Sequence, residues 1–215
     1  MELYFAPLAC SMSARIAFAE AGAAIELVEV DTHAGRTVTT GENYRAINPL
    51  GYVPALRLDD GTVLTENSAI LQYIAEHYPE AQLAPPASDR IGRAKLRQWL
   101  SGISAELHKG LMTPLLGDKT PPEVKAWTLA KYAPRLAYLH AKLKDREFLL
   151  DRFSVADGYL TTVLNWTRAT PEIDLSAYPN VKAYLERMRA RPSVAAALAT
   201  ENPLFHAEVA RRKAA

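Results

Sequence analysis

The chain has 215 residues, 49% hydrophobic and 23% charged, the make-up of an ordinary soluble globular protein with one large domain or two small ones. Lysine plus arginine number 25 against 24 for aspartate plus glutamate, and the resulting net charge of +1 gives no support for a nucleic-acid or polyanion partner. One cysteine excludes an internal disulfide and any metal centre built from cysteines.

ELYFA (2–6) reads as a strand, and 12–22 as a helix with Ala14, Ala17, Phe18 and Ala21 on one face. IELVEV (25–30) alternates apolar and acidic residues, as a half-buried strand does. The polar stretch DTHAGRTVTTGENY reads as a loop. VPALRL and TVLTE are two short strands joined by DDG, a hairpin turn, and SAILQYIAEHY is an amphipathic helix. Strand, helix, strand, hairpin and helix form an α/β layout in thioredoxin-like order over residues 1–80. PEAQLAPPASD, without periodicity, supplies a linker at 81–88. From 89 to 215 the pattern is all-α, a helical bundle domain with helices at 89–116, 122–143, 155–169 and 178–189 and a short one at 194–199. Beyond Pro203 a tail, LFHAEVARRKAA, is long enough for a short helix of its own. Ser154 and Asp157 have the spacing of a capping box, which starts a helix and needs no further role.

Cys10 stands where the first strand gives way to the first helix. Unpaired amides and the helix dipole stabilise a thiolate there, although a free cysteine also serves as buried packing. Cys10-Ser11-Met12-Ser13 is a CxxC pattern with its second thiol replaced, so thiol chemistry here needs a thiol from outside. Pro54 opens a strand. If its bond is cis, the Val53 amide and carbonyl are left to pair with an extended peptide; an ordinary trans proline fits the pattern equally. Glu66-Asn67-Ser68 precedes a helix, where backbone amides suit a carboxylate and Glu66 suits an ammonium group; Asn67 and Ser68 also serve as plain caps. His108, followed by Lys109, lies in the first long helix after the linker and can assist a proton or a thiol near neutrality. The five histidines show no metal-ligand spacing, so no metal is expected. MELYFAPLAC lacks a signal-peptide pattern and no apolar run reaches spanning length, which points to the cytoplasm, a reduced thiol and no membrane partner.

Together YFAPLACSMS, AINPLGYVPAL, LTENSAILQYIAEHYP, WLSGISAELHKG, FSVADGYL and YLERMRARPSV resemble the cytosolic glutathione S-transferases, in particular the bacterial beta class, from residue 2 to about 200. The resemblance implies a glutathione-binding thioredoxin-like domain, a helical domain forming the electrophile pocket, and a homodimer. It implies a cis bond at Pro54, with Val53 pairing to the cysteinyl unit and Tyr52 beside it. Glu66 and Asn67 would hold the γ-glutamyl end, and Cys10 would lie at the glutathione sulfur. Ser101, Ala105, Glu106, His108 and Lys109 would line the site from the helical domain. Three positions depart from the family pattern: Asn67 replaces serine or glycine, Ser101 replaces asparagine, and Arg36 in HAGRT replaces the lysine that contacts the glycyl carboxylate. The expected enzyme adds glutathione, its co-substrate and not a resident cofactor, to hydrophobic electrophiles in detoxification. Cys10 and His108 would act near the sulfur, with Ser11 as a reserve donor. Two alternatives are a glutathione-dependent thiol–disulfide oxidoreductase or peroxidase working through a Cys10 mixed disulfide, and a non-catalytic ligand binder.

Overall fold

A computed structural model describes residues 1–214. The chain divides into two compact units, 1–83 together with 192–215, and 84–191.

The first unit is built on a five-stranded mixed sheet in the order β3-β2-β1-β4-β5. The strands are β1 (Glu2–Phe5), β2 (Glu26–Asp31), β3 (Arg36–Thr37), β4 (Ala55–Arg57) and β5 (Val63–Leu64). β1 is central, parallel to β2 and antiparallel to β4, which is why Leu3, Tyr4 and Phe5 form an unbroken buried run. The crossover to β2 is helix α1 (Met12–Glu20), and helix α2 (Asn67–His77) follows the β4–β5 hairpin. The stretch read from sequence as a loop contains β3, which pairs antiparallel with β2 for two residues, too few for periodicity to register.

The second unit is helical. A continuous rod runs through α3 (Arg90–Gly102), a wide π-helical stretch Ile103–Met112, and α4 (Thr113–Leu116). α5 (Pro122–Lys142), α6 (Val155–Asn165) and α7 (Pro179–Arg189) follow. The capping box opens α6: the Asp157 carboxylate accepts from the Ser154 amide and hydroxyl, both at 2.9 Å. It also accepts from the Leu149 amide at 2.9 Å and the Tyr184 hydroxyl at 2.8 Å, so one carboxylate ties α6 to the preceding loop and to α7. Burial pushes this carboxyl upward while the four donors pull it down.

The expected short helix at 194–199 and separate tail are corrected. A single helix, α8 (Pro192–Ala214), runs through both with Pro203 inside it. It belongs with the first unit and not with the helical domain assigned from sequence to 89–215. Its polar anchors explain this: Ser193 donates to Glu20, Arg211 pairs with Glu29, and Glu201 reaches the loop before α1.

Candidate active site

In the first unit, sequence-distant residues converge on the turn between β1 and α1. The Cys10 thiol donates to the Val53 carbonyl at 3.2 Å across 43 residues, and the Val53–Pro54 bond is cis. Val53 is fixed from behind. The preceding Tyr52 carbonyl accepts from the Tyr44 hydroxyl at 2.8 Å and the Asn48 amide group at 2.7 Å. The Val53 side chain packs on the buried cluster of Tyr4, Val30, Tyr44 and Ala55. Tyr44 and Asn48 did not stand out in the sequence, since a clamp that acts on a carbonyl leaves no pattern of residue types.

The two serines flanking the thiol act as braces. Ser11 is fully buried; its hydroxyl lies 3.3 Å from the Ala6 amide and 3.2 Å from the Ala6 carbonyl, closing the loop that carries Cys10. The Ser11 hydroxyl, read from sequence as a reserve donor, is thus engaged by the Ala6 backbone. Ser13, in the place of the missing second thiol, donates to the Cys10 carbonyl at 2.7 Å and accepts from the Asn67 side-chain amide at 2.9 Å. Asn67 is therefore a buried tie between the first turns of α1 and α2. Glu66 just before it is exposed, with φ 66 and ψ 113, a backbone state that L residues rarely adopt. Leu8, two residues before Cys10, has φ 56. Its amide donates at 2.7 Å to Glu201 of α8, which also faces Arg15 at 3.5 Å. Burial raises the Glu201 carboxyl to about 7 against the pull of those two donors. No sequence signal marks Glu201, one of two acids on a helix and 193 residues from its partner. Arg36 is exposed on β3 and donates to the Gly41 carbonyl at 2.9 Å.

In the second unit the wide helical stretch carries Ala105, Glu106, His108 and Lys109, with Ser101 exposed at the end of α3. Its width has local causes. Pro114 supplies no amide to the rod, and the Thr113 amide reaches back five residues to the His108 carbonyl, which the Thr113 hydroxyl also meets at 3.0 Å. A side chain on Gly110 would collide with the Tyr132 ring and the Ala105 carbonyl, so α5 lies close against this stretch. Glu106 is taken up by Arg135 of α5 at 2.6 Å, while Ala105 and Lys109 face solvent. His108 is buried; its Nδ1 lies 2.8 Å from the Tyr159 hydroxyl, and its ring meets those of Tyr159 and Trp166 edge-on. Burial first, and the Lys109 charge second, lower its pKa to about 4, so the imidazole is neutral at physiological pH.

A family model described as the N-terminal domain of glutathione S-transferases matches residues 3–82, and one for the C-terminal domain matches 103–192. The chain is 43% identical to glutathione S-transferase GstA of Escherichia coli O157:H7 over 202 residues, 94% of this chain and 98% of that protein. The chain belongs to the glutathione S-transferase family. Two solved relatives agree with this assignment. A sphingomonad glutathione S-transferase complexed with glutathione is 41% identical with a TM-score of 0.88, the match covering 94% of this chain and 99% of that one. A beta-class glutathione S-transferase of Sphingomonas chungbukensis is 42% identical with a TM-score of 0.87, over 94% and 98%. The protein is accordingly a beta-class glutathione transferase with the thioredoxin-like and helical regions expected from its motifs. Among the described residues no group of three or more His, Cys, Asp or Glu could hold a metal ion, and no helix is long and apolar enough to cross a membrane.

Proposed function

We propose that this transferase binds glutathione along the Cys10–Val53–Glu66 corner and adds its thiolate to hydrophobic electrophiles. The observation that carries the reading is the approach of the Cys10 thiol to the Val53 carbonyl beside the cis bond, with the first turns of α1 and α2 tied by Ser13 and Asn67. An extended cysteinyl unit pairing with Val53 would bring its sulfur to Cys10, since the carbonyl has a second lone pair to offer. Glu66 is the ammonium partner, a role its exposed and unusual backbone state supports. Asn67 acts by holding Glu66 and the α2 amides in place. Arg36 is the candidate for the glycyl carboxylate. Ser101, Ala105, Glu106, His108 and Lys109 are the helical domain's candidates for contacts to glutathione, and Tyr52 is a candidate beside Val53. In the reaction the glutathione thiol gives its proton to water and its sulfur bonds to the electrophile carbon, from which a leaving group departs with its electron pair. Positioning and thiolate stabilisation supply the rate.

The mixed-disulfide route is the second reading, favoured by the same geometry. The Cys10 thiolate attacks a disulfide containing glutathione and expels one thiolate; a second glutathione thiolate then releases Cys10 and leaves as oxidised glutathione. Exposure of Leu50 at 66% and Tyr52 at 65% supports a homodimer, and a single cysteine, outside any disulfide, suits the reducing cytoplasm. The test compares Cys10→Ala with the parent protein on an aryl halide and on a disulfide. Disulfide exchange is expected to vanish while part of the conjugation persists; equal loss of both would make Cys10 the essential activator. Failure of immobilised glutathione to retain the parent protein would overturn the binding reading.

A further inference from the structure

Buried donors in a folded protein are as a rule bonded, so a pair of orphaned ones asks for an acceptor. The two ends of α6 differ in this respect. At its start the buried Asp157 accepts from Ser154, Leu149 and Tyr184, and the polar groups satisfy one another. At its end the Asn165 side chain, 8% exposed, accepts the Arg189 Nε–H of α7 at 2.6 Å. The Asn165 Nδ2 and the Arg189 Nη2 are both buried and have no acceptor among the described residues. Exchanging the amide oxygen and nitrogen gives no relief, because the Arg189 Nε–H needs the oxygen. The carbonyls that close α6 are engaged as well. Leu164 takes the Thr167 hydroxyl at 2.7 Å, and Trp166 takes the Ala169 amide at 2.9 Å and the Thr170 hydroxyl at 3.3 Å.

The charges point the same way. Nε–H and Nη2–H share one edge of the planar guanidinium, the edge that grips carboxylates and phosphates with two parallel bonds. On Arg189 one arm of that edge holds Asn165 and the other is unused. Arg168, in the short 3-10 helix Trp166–Arg168, brings a second guanidinium. Burial first, and the Arg168 charge second, lower the Arg189 pKa, and Glu186 offsets this only in part. A helix dipole favours cations at its C-terminal end but does not require their burial. Arg168 is exposed, as that role allows, whereas Arg189 is half-buried against Asn165. We propose that the corner between the ends of α6 and α7 binds a phosphate-type oxyanion, held by Asn165 Nδ2 and Arg189 Nη2 with Arg168 beside them. A charged oxygen accepts from both donors, and a doubly charged anion matches two guanidiniums. Seated there, it ties the two helix ends together. The site lies wholly within the second unit and is independent of the glutathione reading.

The test titrates the ¹⁵N-labelled full chain with inorganic phosphate at fixed ionic strength, chloride making up the balance. The Asn165 side-chain amide and the Arg189 Nε–H should shift together and saturate, and phosphate should raise the urea midpoint. Asn165→Asp supplies a built-in carboxylate to both arms of Arg189. It should raise the midpoint without phosphate and abolish the phosphate response. Arg168→Gln, at an exposed position, should weaken phosphate binding about threefold. A nucleoside monophosphate distinguishes the source: the same shifts with it support a phosphate carried on a larger molecule, and shifts with inorganic phosphate alone support a free ion. No saturable shift, or the same shift with chloride, would overturn the proposal, as would an undiminished phosphate response in Asn165→Asp. If that variant does not fold, the parent titration and Arg168→Gln decide, and unchanged affinity in Arg168→Gln would remove Arg168 from the site.

Discussion

The Cys10 corner of the first unit and the His108 helix of the second illustrate two ways of presenting a reactive group. At the corner the groups that matter are main-chain: the Val53 carbonyl, the amides that open α1 and α2, and the loop from Ala6 to Cys10. Side chains there serve as braces: Ser11, Ser13 and Asn48 each hold backbone in place, and Asn67 holds the Ser13 hydroxyl. On the helix the order is reversed. A backbone widened at Ile103–Met112 presents one side chain, and its chemistry is set by burial and by one hydroxyl. A corner built from backbone tolerates changes of side chain that preserve its shape, whereas a site resting on one buried imidazole answers directly to charge.

Proton linkage gives the largest expected difference between the two regions. His108 titrates at about 4 when folded, against an ordinary 6.5. It is neutral in both states above 6.5, and stability is lost as pH falls from 6.5 towards 4, by up to about 3 kcal/mol. Glu201 has the opposite sign. Its folded value of about 7 lies above the ordinary 4.5, so stability is fully present below 4.5 and is lost as pH rises to 7, again by up to about 3 kcal/mol. Urea unfolding across pH 4–8 should show the acid limb flattened in His108→Gln and the neutral limb flattened in Glu201→Gln, which keeps an acceptor for Leu8. If both variants leave both limbs unchanged, burial does not govern these two groups.

A smaller effect separates shape from chemistry at Glu66. Both Glu66→Ala and Glu66→Gly should weaken glutathione binding at least about tenfold by calorimetry, because a charged partner is lost. Glycine accepts φ 66 without strain, so Glu66→Gly should unfold at higher urea than Glu66→Ala by about 1 kcal/mol. Equal affinity of Glu66→Ala and the parent protein would remove Glu66 from the site.

The smallest effect tests the bracing. Ser13→Ala and Asn67→Ala should each cost about 1 kcal/mol, and the double variant less than their sum, because they share one bond. Additive costs would show that the two helices are not tied through this pair.

By itself, the sequence determined the alternation of strand and helix, the DDG hairpin, the linker and the run of helices after it. Each is a local matter of period, turn chemistry and capping, and Ser154 with Asp157 shows how far such rules carry. It also singled out Cys10, Val53, Pro54, Glu66 and His108, because a thiol at a helix start, a proline before a strand and a histidine in a helix are visible one at a time. Only the tertiary structure decided what these residues touch. β3 exists because β2 offers it an edge, and α8 joins the first unit because Glu201, Arg211 and Ser193 find partners there. Ser11 became a brace, Asn67 a tie and Tyr159 the neighbour of His108 through contacts between residues far apart in the chain. Such contacts obey no period, so no window of sequence contains them.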